Sequence, residues 1–581
     1  MARVSIKSAK KARNVFDMSC THLTTLNIGQ IVPIYTQQLI PGDEITIDES
    51  YFARLAPLPV PTYGMAELRT AAFFCPYHNV SKYADTFLSG EKYYNGTVAS
   101  LPAMSQLTID LLFVDNPSQM YVQDATEASC DFAVKTSSGF LYSKLKPYGK
   151  YVYKILRSLG YAVSPNLSND GNNQPYQTQA AKQLNPLPLL TFFRCYNDFM
   201  SRSLKYSVSP LSTFIESLRS GSTNLIDYQH LHLAFSSIYL TYDESLFTSA
   251  WQNISQPYNS SLQEVSPFTK LNSITGGFDS AVYSGQYGQF FSTVDSSVSH
   301  SISERSLRYI TAFAEYIRRN NYSGSKYVDI LLSRFGIKVS DYDEQFAKCL
   351  GTRSFPLTIG DITNTAAVSE DNVGQFLGSY AGKGILSGQG GYAFQSKDYG
   401  SFIILAWIAP KVTYYQGVDR EVLKREVSDF YTPEYDGQGM TPITFWELGR
   451  RPDKKFSTTV DPYQVFGFSE RYYEMRNPIN RITGDFSLLG TNASYDSWHY
   501  GRDMTTIYDS QEVAQGDNVT QYNPSSKEWN RIFVDTNVDV DHFFVNSSFK
   551  VTMMRNIMNN NQVTMLGEGE TKIEKNGSQL Q

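Results

Sequence analysis

A mainly β chain, with helices carried in insertions, is the fold class this sequence predicts, and three observations support it. Apolar and polar residues alternate over short stretches such as Ile45-Thr46-Ile47-Asp48, the period of two expected of a strand with one buried face. Phe402 to Ile408 is a continuous apolar run, as expected of a strand covered on both faces. The composition is 14% aromatic, with 41 Tyr and 35 Phe, yet only 18% charged against a usual ~25%. Tyrosine covers apolar surface while keeping one polar end, and it is enriched where proteins touch. Such a chain points to contact with copies of itself or with a glycan, alongside the tyrosines that a large β-rich core holds at its edges.

Length and charge narrow the choices. At 581 residues there is ample chain for a large core. A net charge of −6 argues against general binding of nucleic acid. Cys20, Cys75, Cys130, Cys195 and Cys349 are isolated and form no CxxC pair, which fits synthesis in a reducing cytosol. The opening residues lack the apolar core of a signal peptide, and no run approaches ~20 apolar residues. The expectation is a soluble product without membrane insertion.

In chain order, residues 1–16 form a basic arm with Arg3, Lys7, Lys10, Lys11 and Arg13 and no acid. Such an arm is either a frayed, solvated terminus or a contact for phosphates. From Phe16 to Tyr77 the sequence reads as strand, turn, strand, proline-rich bend and strand. Ile28, Gln30, Val32 and Ile34 follow a period of two, which suggests a half-buried strand. Pro33 has no N–H to give a ladder, so this strand should lie at an edge or carry a bulge. Pro41-Gly42-Asp43 predicts a type II turn. Pro57, Pro59 and Pro61 force an extended bend, after which Leu68 to Phe74 resumes strand character.

Further along, Thr108 to Val114 predicts a strand, and Leu141 to Leu159 a helix stopped by Gly160. Asn166 to Ala180 is a polar surface loop. A helix after Pro186-Leu187-Pro188 places Leu189, Phe193, Tyr196 and Met200 on one face. Gln252 to Ser299 is Ser- and Gly-rich without periodicity and reads as an insertion. Two helices follow. Arg305–Arg319 carries a stripe of Leu307, Ile310, Phe313, Ala314 and Ile317; the second starts at Ser325 and stops at Gly336. The stretch from Val538 to Ile557 predicts a last pair of strands, and 567–581 is a polar tail.

Several phrases also carry a resemblance. "FDMS", "GQIVPI", "LIPGD", "FARLAPLPVP" and "FFCP", in this order over residues 16–76, closely resemble the opening of the major capsid proteins of microviruses. These are small single-stranded DNA bacteriophages, and the gokushovirus-like branch is the nearest match. "NPLPLLTFFRCYNDFMSR" resembles a helix of that family, with Arg194, Tyr196 and Asn197 at matching positions. "YDESLFTSAW", "RYITAFAEYIRRNNYSGSKYVDILLSRFGI", "YYQGVDR", "DFYTPEYDGQG", "VFGFSERYYEMRNPINRITGDF" and "DSWH" continue it in family order, over about residues 14–558.

The resemblance implies one eight-stranded antiparallel jelly-roll spanning 17–566, with long insertions that contain helices and loops. The insertions would be helical at 140–200 and 300–340, with 252–299 on the surface. It implies self-assembly into a T=1 shell of sixty copies around a single-stranded DNA genome, with no cofactor and no enzymatic role. Its further implied partners are a small basic DNA-binding virion protein, other minor virion proteins and a host cell-surface receptor. The product would be made in the bacterial cytoplasm and carried in the virion. Sixty chains at −6 sum to about −360, so a polyanionic interior calls for local positive charge. Arg3, Lys7, Lys10, Lys11 and Arg13 are the candidates within this chain.

The remaining motifs yield no catalytic or metal site. The glycines at 378, 382, 384, 388, 390 and 391 surround Lys383. A phosphate-cradling loop needs four residues between its glycines and Ser or Thr after Lys. Here three residues precede Gly382 and Gly384 follows the lysine, so the stretch reads as a flexible loop or bulged strand. His230 and His232 could share a strand face, but no third ligand lies near in sequence. Asp535, Asp539, Asp541 and His542 lack the glycine and terminal glutamate of a calcium loop. Glu470 and Glu474 could pair for glycoside hydrolysis, but Arg471 and Arg476 favour salt bridging. A secreted β-rich glycan-binding adhesin or glycosidase is the alternative these features leave.

Overall fold

The structure, a computed structural model, describes residues 13–89, 101–114, 121–122, 132–136, 139–163, 183–201, 210–222, 225–248, 346–363, 380–447, 465–487, 495–502 and 529–557, apart from 244, 415–416, 426, 437–439, 445 and 538–539. Ten strands build its two principal sheets. They are β1 (Asn14–Asp17), β2 (Cys20–Leu26), β3 (Ile31–Leu39), β4 (Glu44–Leu55), β5 (Ala66–Pro76), β6 (Lys348–Pro356), β7 (Thr358–Thr363), β8 (Tyr380–Gln395), β9 (Gly400–Pro410) and β10 (Phe543–Arg555). One sheet runs β1-β10-β4-β8-β7, with β2 also paired to β10; the other runs β6-β5-β9-β3. All of these pairings are antiparallel.

The two sheets face each other across one apolar core. Tyr35 of β3 meets Phe549 of β10 at 5.1 Å between ring centroids, Tyr51 of β4 meets Phe355 of β6 at 5.2 Å, and Phe74 of β5 meets Phe394 of β8 at 4.8 Å. The four-stranded sheet is covered again on its far side by helices. The helices here are α1 (Gln106–Val114), α2 (Pro147–Ser158), α3 (Leu187–Cys195), α4 (Pro210–Ser220) and α5 (Tyr228–Ser236); α2 packs on β3 and α3 on β5 and β9, while α4 packs on α3 and α5, and α1 on α5. Every residue of β9 is therefore buried, as its apolar run predicts. The six-stranded sheet keeps one open face, and β10 accordingly alternates buried and exposed from Phe543 to Met553.

Pro33 satisfies both of its predicted alternatives. β3 is an edge strand, and its ladder with β9 slips where Leu405 faces Pro33 and Ile404 faces Tyr35. The half-buried reading of this strand is corrected, since Ile31 to Tyr35 are all buried. Helix α2 covers the second face, with the Tyr151 hydroxyl donating to the Ile31 carbonyl at 2.9 Å and accepting from the Ile31 N–H at 3.0 Å. Gly42 takes φ +91° in the predicted turn. Gly160 takes the same φ after α2, but that helix begins only at Pro147, because Gly139–Leu145 is a strand.

Other expectations are overturned. Thr108–Val114 is not a strand but most of α1. Ser105 and Thr108 exchange side-chain-to-backbone hydrogen bonds at 3.3 and 3.4 Å, a capping box that starts the helix and buries Ile109, Leu112 and Phe113. His230 and His232 lie on helix α5, capped by Asp227, so two residues of spacing turns them to different faces. The final pair of strands is one long strand, β10. From Gly382 to Gly391 the glycine stretch is neither loop nor bulge but β8, paired with β4 and β7 in unbroken register, while Gly378 lies outside the described residues. Beyond α3 the helix widens into a π-type turn at Tyr196–Met200, with Leu189, Phe193 and Tyr196 buried. The helices expected from Arg305 to Gly336, the loop 166–180, the insertion 252–299 and Cys130 lie outside the described residues.

Candidate functional site

The open face of the six-stranded sheet divides into two chemically distinct halves. On β4, the outward positions are Glu44, Thr46, Asp48, Ser50, Phe52 and Arg54. The Glu44 end is acidic: Asp17 lies two strands away across β10, and Lys550 stands opposite Asp48. The Arg54 end is apolar and basic. There Phe544 stands opposite Arg54, which in turn stands opposite Ile385, while Leu23 and Phe52 flank Asn546. Leu23 is 77% exposed, Phe544 45%, Phe52 40% and Ile385 36%. The Arg54 guanidinium lies 5.3 Å from the centre of the Phe52 ring, within reach of a cation–π contact. Lys383 is exposed on β8, two residues from Ile385. No sequence motif marks this half-face; the signal that could have found it is the alternation of Ile45-Thr46-Ile47-Asp48 carried on to Arg54, which sets Phe52 and Arg54 on the polar side with Asp48 and Ser50.

The basic arm enters at the other end. Arg13 lies 3.9 Å from the outward Glu44 carboxylate, and both side chains are well exposed, so the pair contributes little to stability. Arg3, Lys7, Lys10 and Lys11 lie outside the described residues. The structure therefore places one of the five candidate DNA-contacting residues, beside an acid.

The remaining polar clusters serve the fold. Glu470 bonds Arg476 at 3.2 Å, and Glu474 lies 3.3 Å from Lys424 and 3.6 Å from Arg420, so these carboxylates are held by cations. Arg420 is buried and donates to Glu447 at 2.8 Å, to Ser469 at 3.0 Å and to the Pro442 carbonyl at 2.9 Å. Beside it a cavity of about 260 Å³ is walled by Leu246, Phe247, Tyr414, Ile479 and Ile482. Asp541 is held by Lys154 at 2.7 Å, and the His542 ring stacks on Phe533 at 4.3 Å while its Nε2 meets the Asp535 carbonyl at 2.7 Å. Among the described residues no three His, Cys, Asp or Glu side chains come together as a metal site. No helix among them is long and apolar enough to cross a membrane.

Comparison with known proteins then decides what kind of chain this is. A family model described as Capsid protein (F protein) matches residues 4–105 and 223–565. The chain belongs to the phage capsid protein family. The capsid protein VP1 of Chlamydia phage 1 is 21% identical over 543 residues, which cover 86% of this chain and 89% of the relative. That of Bdellovibrio phage phiMH2K is 21% identical over 538 residues, with 86% and 87% covered. That of Spiroplasma virus 4 is 20% identical over 493 residues, with 82% and 83% covered. The resemblance to microviral capsid proteins is thus borne out, and the role of this capsid protein is structural rather than enzymatic, as a component of the virion. The stretch 106–222 that the family match leaves out contains α1 to α4, part of the helical cover of the four-stranded sheet.

Proposed function

We propose that this capsid protein builds a closed T=1 icosahedral shell of sixty copies around a single-stranded DNA genome, with an eight-stranded jelly-roll as its structural unit. The wrapping of the chain carries this reading. With the edge strands β1 and β7 set aside, eight strands remain, β2-β10-β4-β8 in one sheet and β3-β9-β5-β6 in the other, so that β2 pairs with β10, β3 with β9, β4 with β8 and β5 with β6 as nested partners along the chain. Among these eight the chain crosses from sheet to sheet at every step, β2 to β3, β3 to β4, β4 to β5, β6 to β8, β8 to β9 and β9 to β10, except between β5 and β6, which pair within one sheet. Repeated crossing of this kind winds a double-layered sandwich without leaving long open edges, which suits a subunit that meets copies of itself. Exposed Val422, Val427, Phe430, Tyr431 and Met475 supply apolar surface of the sort such contacts bury. Negative-stain microscopy of lysate from cells producing the chain should show uniform round particles. A chain found only as monomer, or only in open filaments, would overturn the proposal.

The basic arm and the Ser- and Gly-rich insertion extend this reading from the sequence, and the further virion partners and the receptor extend it from the resemblance to microviral capsid proteins. The arm with Arg3, Lys7, Lys10, Lys11 and Arg13 faces the genome and neutralises phosphates without reading bases. Five such contacts give a log–log salt slope of about −3.5 on single strands. Replacing all five with Gln should lower packaged DNA; unchanged content and salt sensitivity would leave the arm without that role. A small basic virion protein supplies the remaining positive charge, other minor virion proteins complete the particle, and a receptor on the host surface receives it. Residues 252–299, Ser- and Gly-rich, form an outward insertion of the single domain 17–566. Proteolysis of intact particles should cut there before β3 to β5.

A further inference from the structure

We infer that the Arg54 end of the open sheet face is a stacking platform for bases of single-stranded DNA, formed by Phe52 and Phe544 with Arg54 and Lys383. The inference rests on the proposed genome-enclosing shell and names one contact within it. Phe52 and Phe544 lie diagonally on the neighbouring strands β4 and β10, because Phe544 faces Arg54 and Phe52 faces Asn546. Diagonal neighbours on one sheet face stand roughly 7–8 Å apart, about twice the 3.4 Å rise of a stacked strand. Each ring can therefore carry its own base. Both residues sit on regular strands of a sheet packed on the core, so the backbone that carries the rings is held in place before any ligand arrives.

Charge supports the same occupant. Neither Arg54 nor Lys383 has an ion-pair partner among the described residues, and no acid occupies an outward position of β2, β4, β8 or β10 in this half of the face; the exposed Asp361 of the edge strand β7 stands opposite Gly382, whose position points to the other face. The nearest carboxylate on β10's approach, Asp541, is occupied by Lys154 and by the Thr25 hydroxyl. Of the acids on β4, Glu44 stands about 33 Å and Asp48 about 20 Å from Arg54 at 3.3 Å per residue, and Asp48 faces Lys550. On a chain of net charge −6, this is a local basic and aromatic surface. Aromatic rings that stack any base, with cations that meet the backbone, are the recognised means of holding single strands without sequence preference. A second copy would bury the same rings, but it would have to bring acids to Arg54 and Lys383.

Ultraviolet irradiation of purified DNA-containing particles, followed by nuclease digestion and peptide mass spectrometry, tests the assignment. Nucleotide adducts on Phe52 and Phe544 are the expected result. The same irradiation of the purified chain mixed with a single-stranded oligothymidylate reads this face whether or not a shell forms. Phe52→Leu and Phe544→Leu keep the apolar area but remove the rings, and the double variant should bind the oligothymidylate at least about tenfold more weakly. Adducts found only elsewhere, or unchanged affinity of the double variant, overturn the inference. So do cross-links that join Lys383 to another copy over a face without adducts. Failure of the shell proposal is read separately, from the absence of particles in the microscope.

Discussion

Gly388→Ala should destabilise the sandwich although it adds a single methyl group to a strand. Gly382, Gly384, Gly388 and Gly390 all occupy inward positions of β8, alternating with outward Lys383, Ile385, Ser387 and Gln389. A Cβ on Gly388 would lie 2.1 Å from Cδ1 of Phe355, where carbon atoms pack at 3.5–4.0 Å. The ring would have to retreat by about 1.5 Å, yet Phe355 is buried and packed on Tyr51. Overpacking of this kind costs about 1–3 kcal/mol, against about 0.4–1 kcal/mol recovered from the stiffer unfolded chain. A Cβ on Gly384 meets only the flexible end of Leu55, at 2.8 Å, and one on Gly360 finds its nearest atom at 3.9 Å. Urea unfolding should therefore rank Gly388→Ala as clearly less stable, Gly384→Ala as slightly so and Gly360→Ala as more stable than wild type by about 0.4–1 kcal/mol. Equal midpoints for all three would refute the explanation of the glycines by close sheet-to-sheet approach.

Three further outcomes follow. Arg420→Met removes the cation of buried Glu447 and should destabilise the region around it by about 3–5 kcal/mol, seen as early proteolysis between 417 and 487. Tyr151→Phe strips the Ile31 N–H and carbonyl of their partner and should cost about 1–3 kcal/mol in unfolding measurements. Burial holds the Glu49 carboxyl above its ordinary 4.5, against the lowering pull of the Tyr51 hydroxyl and Arg353. The folded chain thus binds this proton more tightly than the unfolded chain does. That contribution to stability is complete below about pH 4.5 and declines as pH rises through the folded value. Glu49→Gln should flatten stability against pH above that point without loss at neutral pH; an unaltered profile would contradict it.

Much of the sandwich was legible because its signals are local. Pro33 announces an edge or bulge by lacking an N–H, and the run Phe402–Ile408 announces a doubly covered strand by lacking polar breaks. Thr108–Val114 was misread because a short apolar run suits a buried helix as well as a strand, and only the Ser105–Thr108 cap decides. The glycines of β8 look like a loop in sequence, because what requires them is Phe355, Leu55 and Leu58, far away along the chain. The face formed by Phe52, Phe544, Arg54 and Lys383 was equally hidden. Its members are scattered over some five hundred residues of sequence and meet only through the register of β4, β8 and β10. The basic arm, by contrast, is conspicuous in sequence, yet the structure places only Arg13.

The central claim is that this capsid protein closes into a shell of sixty copies. Charge-detection mass spectrometry of DNA-free particles measures the copy number directly. With 65.6 kDa per chain, the account predicts a single sharp species of about 3.9 MDa for the protein shell. A broad distribution without that species, or a stable small oligomer and nothing larger, would contradict it.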